Sequence, residues 1–218
     1  MKRLLLILSL IIPVAASAQN FVHLAKYEEQ NVAVKDGPCV VVLIGDSITE
    51  GWVRHHGEYF NNGIIGRGIS GEVSAQMLLR FRKDVVDLHP ALVVINAGTN
   101  DIALNQGDYN EDYTFGNIVS MAQLAVANGI RPILSSVLPA GSFRWRPEVT
   151  DGPEKIAALN ARIRAWAREN GFSYVDYHSS MLSQDGRSMI QSYSNDGVHP
   201  TPEGYLVMEA LLNEVFRF

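Results

Sequence analysis

The chain has 218 residues, 47% of them hydrophobic and 19% charged, with a formal net charge of −5. That length and composition suit one folded domain with a good core and argue against disorder. A mildly acidic chain without basic runs gives no support to nucleic-acid binding, and a single cysteine, Cys39, rules out an intrachain disulfide.

Residues 1–18 have the pattern of a secretory leader. Lys2 and Arg3 form its positive start, Leu4 to Val14 its apolar centre, and Ala16-Ser17-Ala18 an A-x-A cleavage site before Gln19. The apolar centre is shorter than the roughly 20 residues needed to span a bilayer. No cysteine follows the cleavage site to carry a lipid. The expectation is an exported protein, secreted or periplasmic and without a stable membrane anchor, whose working domain covers residues 19–218.

Asn20 to Pro38 is polar and mixed, a surface lead-in. Cys39 to Ile44 is an apolar, β-branched run that predicts a buried parallel strand, with Cys39 a small buried residue at its entry. It stops at Gly45-Asp46-Ser47. Ser47-Ile48-Thr49-Glu50 also fits an S-x-x-E capping box, so Ser47 is either a helix cap or a functional hydroxyl at a helix's positive end. Trp52 to Tyr59 predicts a short helix with His55 and His56 on its surface. A second strand starts at Ile64-Ile65 and runs into the glycine-rich Gly66-Arg67-Gly68-Ile69-Ser70-Gly71. Val73 to Leu88 predicts an amphipathic helix. Its apolar face carries Met77, Leu78, Phe81, Val85 and Leu88, with Arg80, Arg82, Lys83 and Asp84 between them; His89-Pro90 ends it, His89 at the surface.

Ala91 to Ala97 is a third strand, ending at Gly98-Thr99-Asn100-Asp101. A helix near Phe115 to Ala127 and a strand from Arg131 to Val137 follow. The long loop Leu138 to Gly152 carries Arg144-Trp145-Arg146. Pro153, at the first helical position, opens a helix to Glu169, and Phe172 to Tyr177 is the fifth strand. An irregular stretch reaches Asn195-Asp196-Gly197-Val198-His199-Pro200, before a last helix opened by Thr201-Pro202-Glu203 and running through Phe216. Strands alternating with helices imply right-handed crossovers and a parallel sheet covered on both faces. The predicted fold class is α/β, a three-layer α/β/α sandwich with a central five-stranded parallel sheet.

In such a sheet the loops after the strands share one edge, where ligands bind. Ser47, Ser70-Gly71 and Asn100 all belong to that edge. Asp196 and His199 fit one compact loop, since Pro200 keeps His199 extended. There the carboxylate can accept the Nδ1 proton and leave Nε2 free as a base. Taken singly, Gly71 reads as a plain turn and Asn100 as an Asx-turn supporting its loop; together with Ser47 and His199 they read as parts of one site. Asp101 supports the Asn100 loop, Asp46 stays undecided, and His23 and His178 have no neighbouring motif. No His, Cys or carboxylate spacing matches a metal site and no Walker A pattern occurs, so no cofactor is expected.

These four blocks resemble the GDSL/SGNH hydrolase family, named for a Ser, Gly, Asn and His in separate blocks, and the match covers nearly all of the chain after the leader. Gly45-Asp46-Ser47 corresponds to the first block, with Ile48 where the family's short name has leucine. Gly71 stands for the second, Gly98-Thr99-Asn100-Asp101 for the third and Asp196-Gly197-Val198-His199 for the fourth. The resemblance implies the flavodoxin-like SGNH fold, with Ser47 as nucleophile, His199 as base and Asp196 as its orienting partner. It places the Ser47 N–H, Gly71 and Asn100 in the oxyanion hole. The expected activity is a serine esterase working through an acyl-enzyme on a small-molecule or glycan ester, favouring short acyl groups such as acetyl on carbohydrate. Lysophospholipid or thioester hydrolysis is the enzymatic alternative, and a noncatalytic ligand-binding domain on the same scaffold the alternative from another class. Trp145 is expected to stack on a sugar while Arg144 or Arg146 contacts hydroxyls or a carboxylate; a surface loop held by tryptophan packing fits the same residues.

Overall fold

The computed structural model describes residues 23–35 and 39–216; the leader expected over residues 1–18 lies outside them. Five parallel strands form the sheet: β1 (Val41–Gly45), β2 (Ile64–Gly68), β3 (Leu92–Ile95), β4 (Arg131–Ser135) and β5 (Ser173–Val175). Their spatial order is β2-β1-β3-β4-β5, in register at Val42↔Ile65, Val42↔Val93 and Val93↔Pro132. The chain therefore winds outward in one direction to β2 and in the other to β5. Between β1 and β3 the order reverses, which opens a crevice beyond their carboxyl ends.

Alternate strand residues face opposite sides, and each side buries its own core. Val42, Ile44, Val93, Ile95 and Leu134 pack under α3 (Ser74–Asp84), α5 (Glu111–Ala127) and α6 (Gly152–Glu169) through Phe81, Met121 and Leu159. Val41, Leu43, Leu92, Val94 and Ile133 pack under α2 (Ser47–His55), the short α7 (Tyr177–Met181) and α8 (Pro202–Phe216) through Trp52, Tyr177 and Tyr205. The three-layer sandwich is as expected. Gly68 is required where α2 crosses the end of β2, because a Cβ there would lie 2.1 Å from the Glu50 backbone nitrogen.

The departures from expectation have physical reasons. α2 begins at Ser47 rather than Trp52, because the Asp46 carboxylate accepts the Ile48 N–H and caps it one residue before the S-x-x-E pattern. Glu50 is turned away to Lys26 and to the Ser70 N–H and hydroxyl. Residues 57–60 are a separate 3-10 turn. The polar lead-in contains α1 (Glu28–Lys35), held by polar contacts instead of an apolar stripe: Asn31 donates to Asp84 at 2.7 Å and accepts from Arg67 Nε at 2.8 Å. α5 starts four residues early, at an Asn110 cap that accepts the Tyr113 N–H. α3 stops at Asp84, followed by a 3-10 turn over Val86–Leu88, and Arg80 and Asp84 lie buried instead of on a solvated face. His56 is buried, not on the surface, and Cys39 is half-buried.

Candidate active site

Ser47 is the first residue of α2, so its hydroxyl stands at the crevice beside the positive end of that helix. Its Oγ–H donates to His199 Nε2 at 2.8 Å, and His199 Nδ1–H donates to Asp196 Oδ2 at 2.6 Å. The tautomer follows from the partners, because an ionised carboxylate only accepts. Local chemistry builds the His199 turn. Asp196 Oδ1 accepts the backbone N–H groups of Val198 at 2.9 Å and His199 at 2.8 Å, Gly197 takes φ +86°, and the Ser194 hydroxyl donates to the His199 carbonyl at 2.8 Å. One oxygen of Asp196 thus folds the turn while the other grips the ring. Partial burial would raise the Asp196 carboxyl, but the His199 ring and these backbone N–H groups outweigh it and hold the group down at about 2.

A brace between α2 and α8 keeps the serine and histidine in register. Tyr205 donates its hydroxyl to the Ile48 carbonyl at 2.9 Å and stacks on Trp52 with ring centroids 5.8 Å apart. Glu209 accepts from both Trp52 Nε1 at 2.8 Å and His56 Nδ1 at 2.7 Å. That hydrogen bond gives the buried His56 ring a polar partner.

Across the crevice lie the Gly71 loop and α4 (Thr99–Ile102). Gly71 has φ +81° with nothing within 4 Å of a built Cβ, so conformation and not crowding calls for glycine. The Asn100 side chain is buried; its Nδ2 donates to the Glu72 carbonyl at 3.0 Å and, more weakly, to Asp46 Oδ2 at 3.3 Å. Asp101 accepts from the Ser74 N–H at 2.9 Å, the Ser74 hydroxyl at 2.5 Å and the Thr114 hydroxyl at 3.1 Å, joining the starts of α3 and α5 to the Asn100 loop. Burial nevertheless leaves its carboxyl above the usual range.

Below this edge, the buried Arg80 ties the loops to the sheet. It donates to Glu72 Oε2 at 2.6 Å, Asp84 Oδ2 at 3.0 Å, and the carbonyls of Gly45 and Arg67, each at 2.9 Å. Without it the buried Glu72 and Asp84 would lose their guanidinium partner, a loss of about 3–5 kcal/mol. Sequence reading missed this pair, although Met77, Arg80, Phe81 and Asp84 share one helical face by spacing.

Asp46 is fully buried, and desolvation pushes its carboxyl up to about 6 against the Ile48 N–H and the His199 charge. With the folded group above its unfolded value, the native state binds the extra proton. The associated stability is present at low pH and lost as pH rises through about 6. The wild type should therefore gain on Asp46→Asn as pH falls from 7 to 4, by on the order of 3 kcal/mol in denaturant titrations. A pH-independent difference contradicts the raised carboxyl.

The Arg144–Arg146 loop meets the site at one residue. The Trp145 ring lies 6.2 Å from the His199 ring, centroid to centroid, and remains 41% exposed. Arg144 instead donates to the Asn195 carbonyl at 3.1 Å, holding the histidine turn, and Arg146 lies 3.8 Å from Glu148. Trp145 Nε1 donates at 2.9 Å to Asn105, a residue the sequence gave no reason to single out. Among the described residues no group of three His, Cys, Asp or Glu is placed to hold a metal.

Residues 43–207 match the model of the GDSL-like lipase/acylhydrolase family. A crystal structure of a GDSL-like lipase from Bacteroides thetaiotaomicron superposes with a TM-score of 0.85 at 54% identity, covering 89% of this chain and 97% of that one. Esterase TesA from Pseudomonas aeruginosa is 27% identical over 169 residues, 75% of this chain and 77% of its own length. An acetyl-xylooligosaccharide esterase from Geobacillus is similar at a TM-score of 0.60 and 19% identity, over 84% of this chain and 97% of that one, a likeness of fold alone.

Proposed function

The chain belongs to the GDSL-like lipase/acylhydrolase family and is an ester hydrolase, and from that premise we propose a serine esterase that cleaves short acyl esters, foremost acetyl groups on carbohydrate, through an acyl-enzyme on Ser47. The observation that carries this reading is the unbroken chain Ser47 Oγ–His199 Nε2–Asp196 Oδ2, at 2.8 and 2.6 Å. A serine hydroxyl is a poor nucleophile until a positioned base takes its proton. His199 Nε2 takes it as Oγ attacks the acyl carbon, and Asp196 stabilises the imidazolium that forms. His199 then protonates the departing alkoxide, and a water repeats the sequence to free the acid and restore Ser47.

Charge on the tetrahedral oxygen is met by the N–H groups of Ser47 and Gly71 and by the Asn100 amide. The 3.3 Å contact from Asn100 to Asp46 is the weaker of its two, so that hydrogen is the one an oxyanion draws away. A donor placed there contributes about 3–4 kcal/mol to the transition state.

The exposed Trp145 face beside His199 favours a flat, weakly polar sugar ring over a lipid surface. Arg146 is the guanidinium left to reach a hydroxyl or carboxylate, while Arg144 is engaged with the histidine turn. Among the described residues no helix is long and apolar enough to cross a membrane. Export through the leader of residues 1–18 brings the enzyme to glycans outside the cytoplasm.

The test is a substrate series. kcat/KM should fall at least about tenfold between acetyl or butyryl and octanoyl nitrophenyl esters, and acetylated sugars should be turned over. A flat or rising profile with chain length moves the activity to lysophospholipids or thioesters.

A further inference from the structure

Asn105 touches two parts of the proposed oxyanion side, the Asn100 amide and the Gly71 loop, and the direction of its bonds is forced. The Trp145 indole N–H is donor-only, so the oxygen of Asn105 must face it, at 2.9 Å. Asn105 Nδ2 then points the other way, donating to Asn100 Oδ1 at 2.8 Å and reaching the Gly71 carbonyl at 3.4 Å. With its oxygen held by Asn105, Asn100 has only Nδ2 left to present to the Glu72 carbonyl, which it meets at 3.0 Å. A donor-only indole at one end and an accept-only carbonyl at the other permit a single orientation of both amides. The backbone locks the arrangement: Leu104 adopts φ +56°, costly for a residue with a branched side chain, and the Asn105 N–H closes on the Asn100 carbonyl at 3.0 Å.

We infer that Asn105 is a positioning residue for ester hydrolysis, one that fixes the Asn100 amide with its N–H face toward the developing oxyanion and is itself oriented by Trp145. The inference rests on Asn100 serving as an oxyanion donor. An amide free to turn offers its oxygen part of the time, which repels the charge it should stabilise. Because the reorientation is paid before the reaction, its loss appears in the transition state and not in ground-state binding. Trp145 thereby links the two halves of the site, with its ring beside His199 and its N–H one residue removed from Asn100.

The experiment is a double-mutant cycle with nitrophenyl acetate, run on folded variants checked by circular dichroism. Asn105→Ala should lower kcat about 10- to 100-fold with KM within about twofold, and Asn100→Ala about 10²- to 10³-fold. The double variant should be no worse than Asn100→Ala alone, since the second change acts only through the first residue. Asn105→Asp, which keeps the acceptor for Trp145 but loses the donor toward Asn100, should show the same loss and the same non-additivity, and it serves if the alanine variant does not fold. Losses that multiply in the double variant, or a raised KM at unchanged kcat, overturn the positioning role while leaving the Ser47 mechanism intact. An Asn100→Ala enzyme with normal kcat overturns both this inference and the oxyanion assignment.

Discussion

Ser47→Ala is expected to lower kcat by about 10⁴- to 10⁶-fold on nitrophenyl acetate while the thermal unfolding transition stays within a few degrees of the wild type. The side chain is one hydroxyl at the first position of α2, and the cap of that helix belongs to Asp46, which accepts the Ile48 N–H at 2.9 Å. Removing the hydroxyl therefore leaves the cap and the apolar contacts of α2 in place. Had Ser47 been the cap, the same change would lower stability by about 1 kcal/mol and leave turnover to other groups. Activity and stability together distinguish the two roles. Near-normal turnover by the alanine variant sinks the nucleophile assignment.

His199→Ala is expected to be nearly as damaging, because serine without its base reverts to a weak nucleophile. Asp196→Asn should cost about 10⁴-fold or somewhat less, since it leaves the base but disturbs its tautomer. The loss has a structural component as well. Asp196 Oδ1 accepts the N–H groups of Val198 and His199, a job an asparagine oxygen can keep, whereas its amide nitrogen would face the His199 Nδ1–H. The variant ring must then place its proton on Nε2, the nitrogen Ser47 needs free. Measuring kcat against pH for both variants separates the roles: Asp196→Asn retains a base-dependent profile, and His199→Ala has none. An Asp196→Asn enzyme within tenfold of the wild type contradicts the orienting role.

Much of the fold was legible because its signals are local. Val41 to Ile44 and Leu92 to Ile95 are unbroken buried runs, and each ends in a glycine-containing polar turn at the carboxyl edge of the sheet, where the proposed site lies. Asp196 and His199 were legible for the same reason: three residues apart, they share a turn that the carboxylate itself folds. What could not be read depends on distant partners. Arg80 looks like a solvated arginine until β1, β2 and Glu72 supply its acceptors. His56 looks exposed until α8 brings Glu209 to it. Asn105 sits in a stretch with no motif, and its meaning comes from a left-handed turn at Leu104 and from a tryptophan forty residues along the chain. The helix expected from Trp52 begins at Ser47, and its cap is the Asp46 carboxylate, one position before the S-x-x-E pattern that offered Ser47 for that role.

The central claim is that Ser47 attacks the ester carbonyl, and covalent trapping tests it most directly. A fluorophosphonate bearing a short alkyl chain should react with one equivalent of the intact enzyme, and peptide mass spectrometry should place the adduct on Ser47. Labelling should be lost in His199→Ala, whose serine lacks its base, and should be slowed by competing acetyl ester. An adduct on any other residue, or undiminished labelling of Ser47→Ala, would contradict the mechanism.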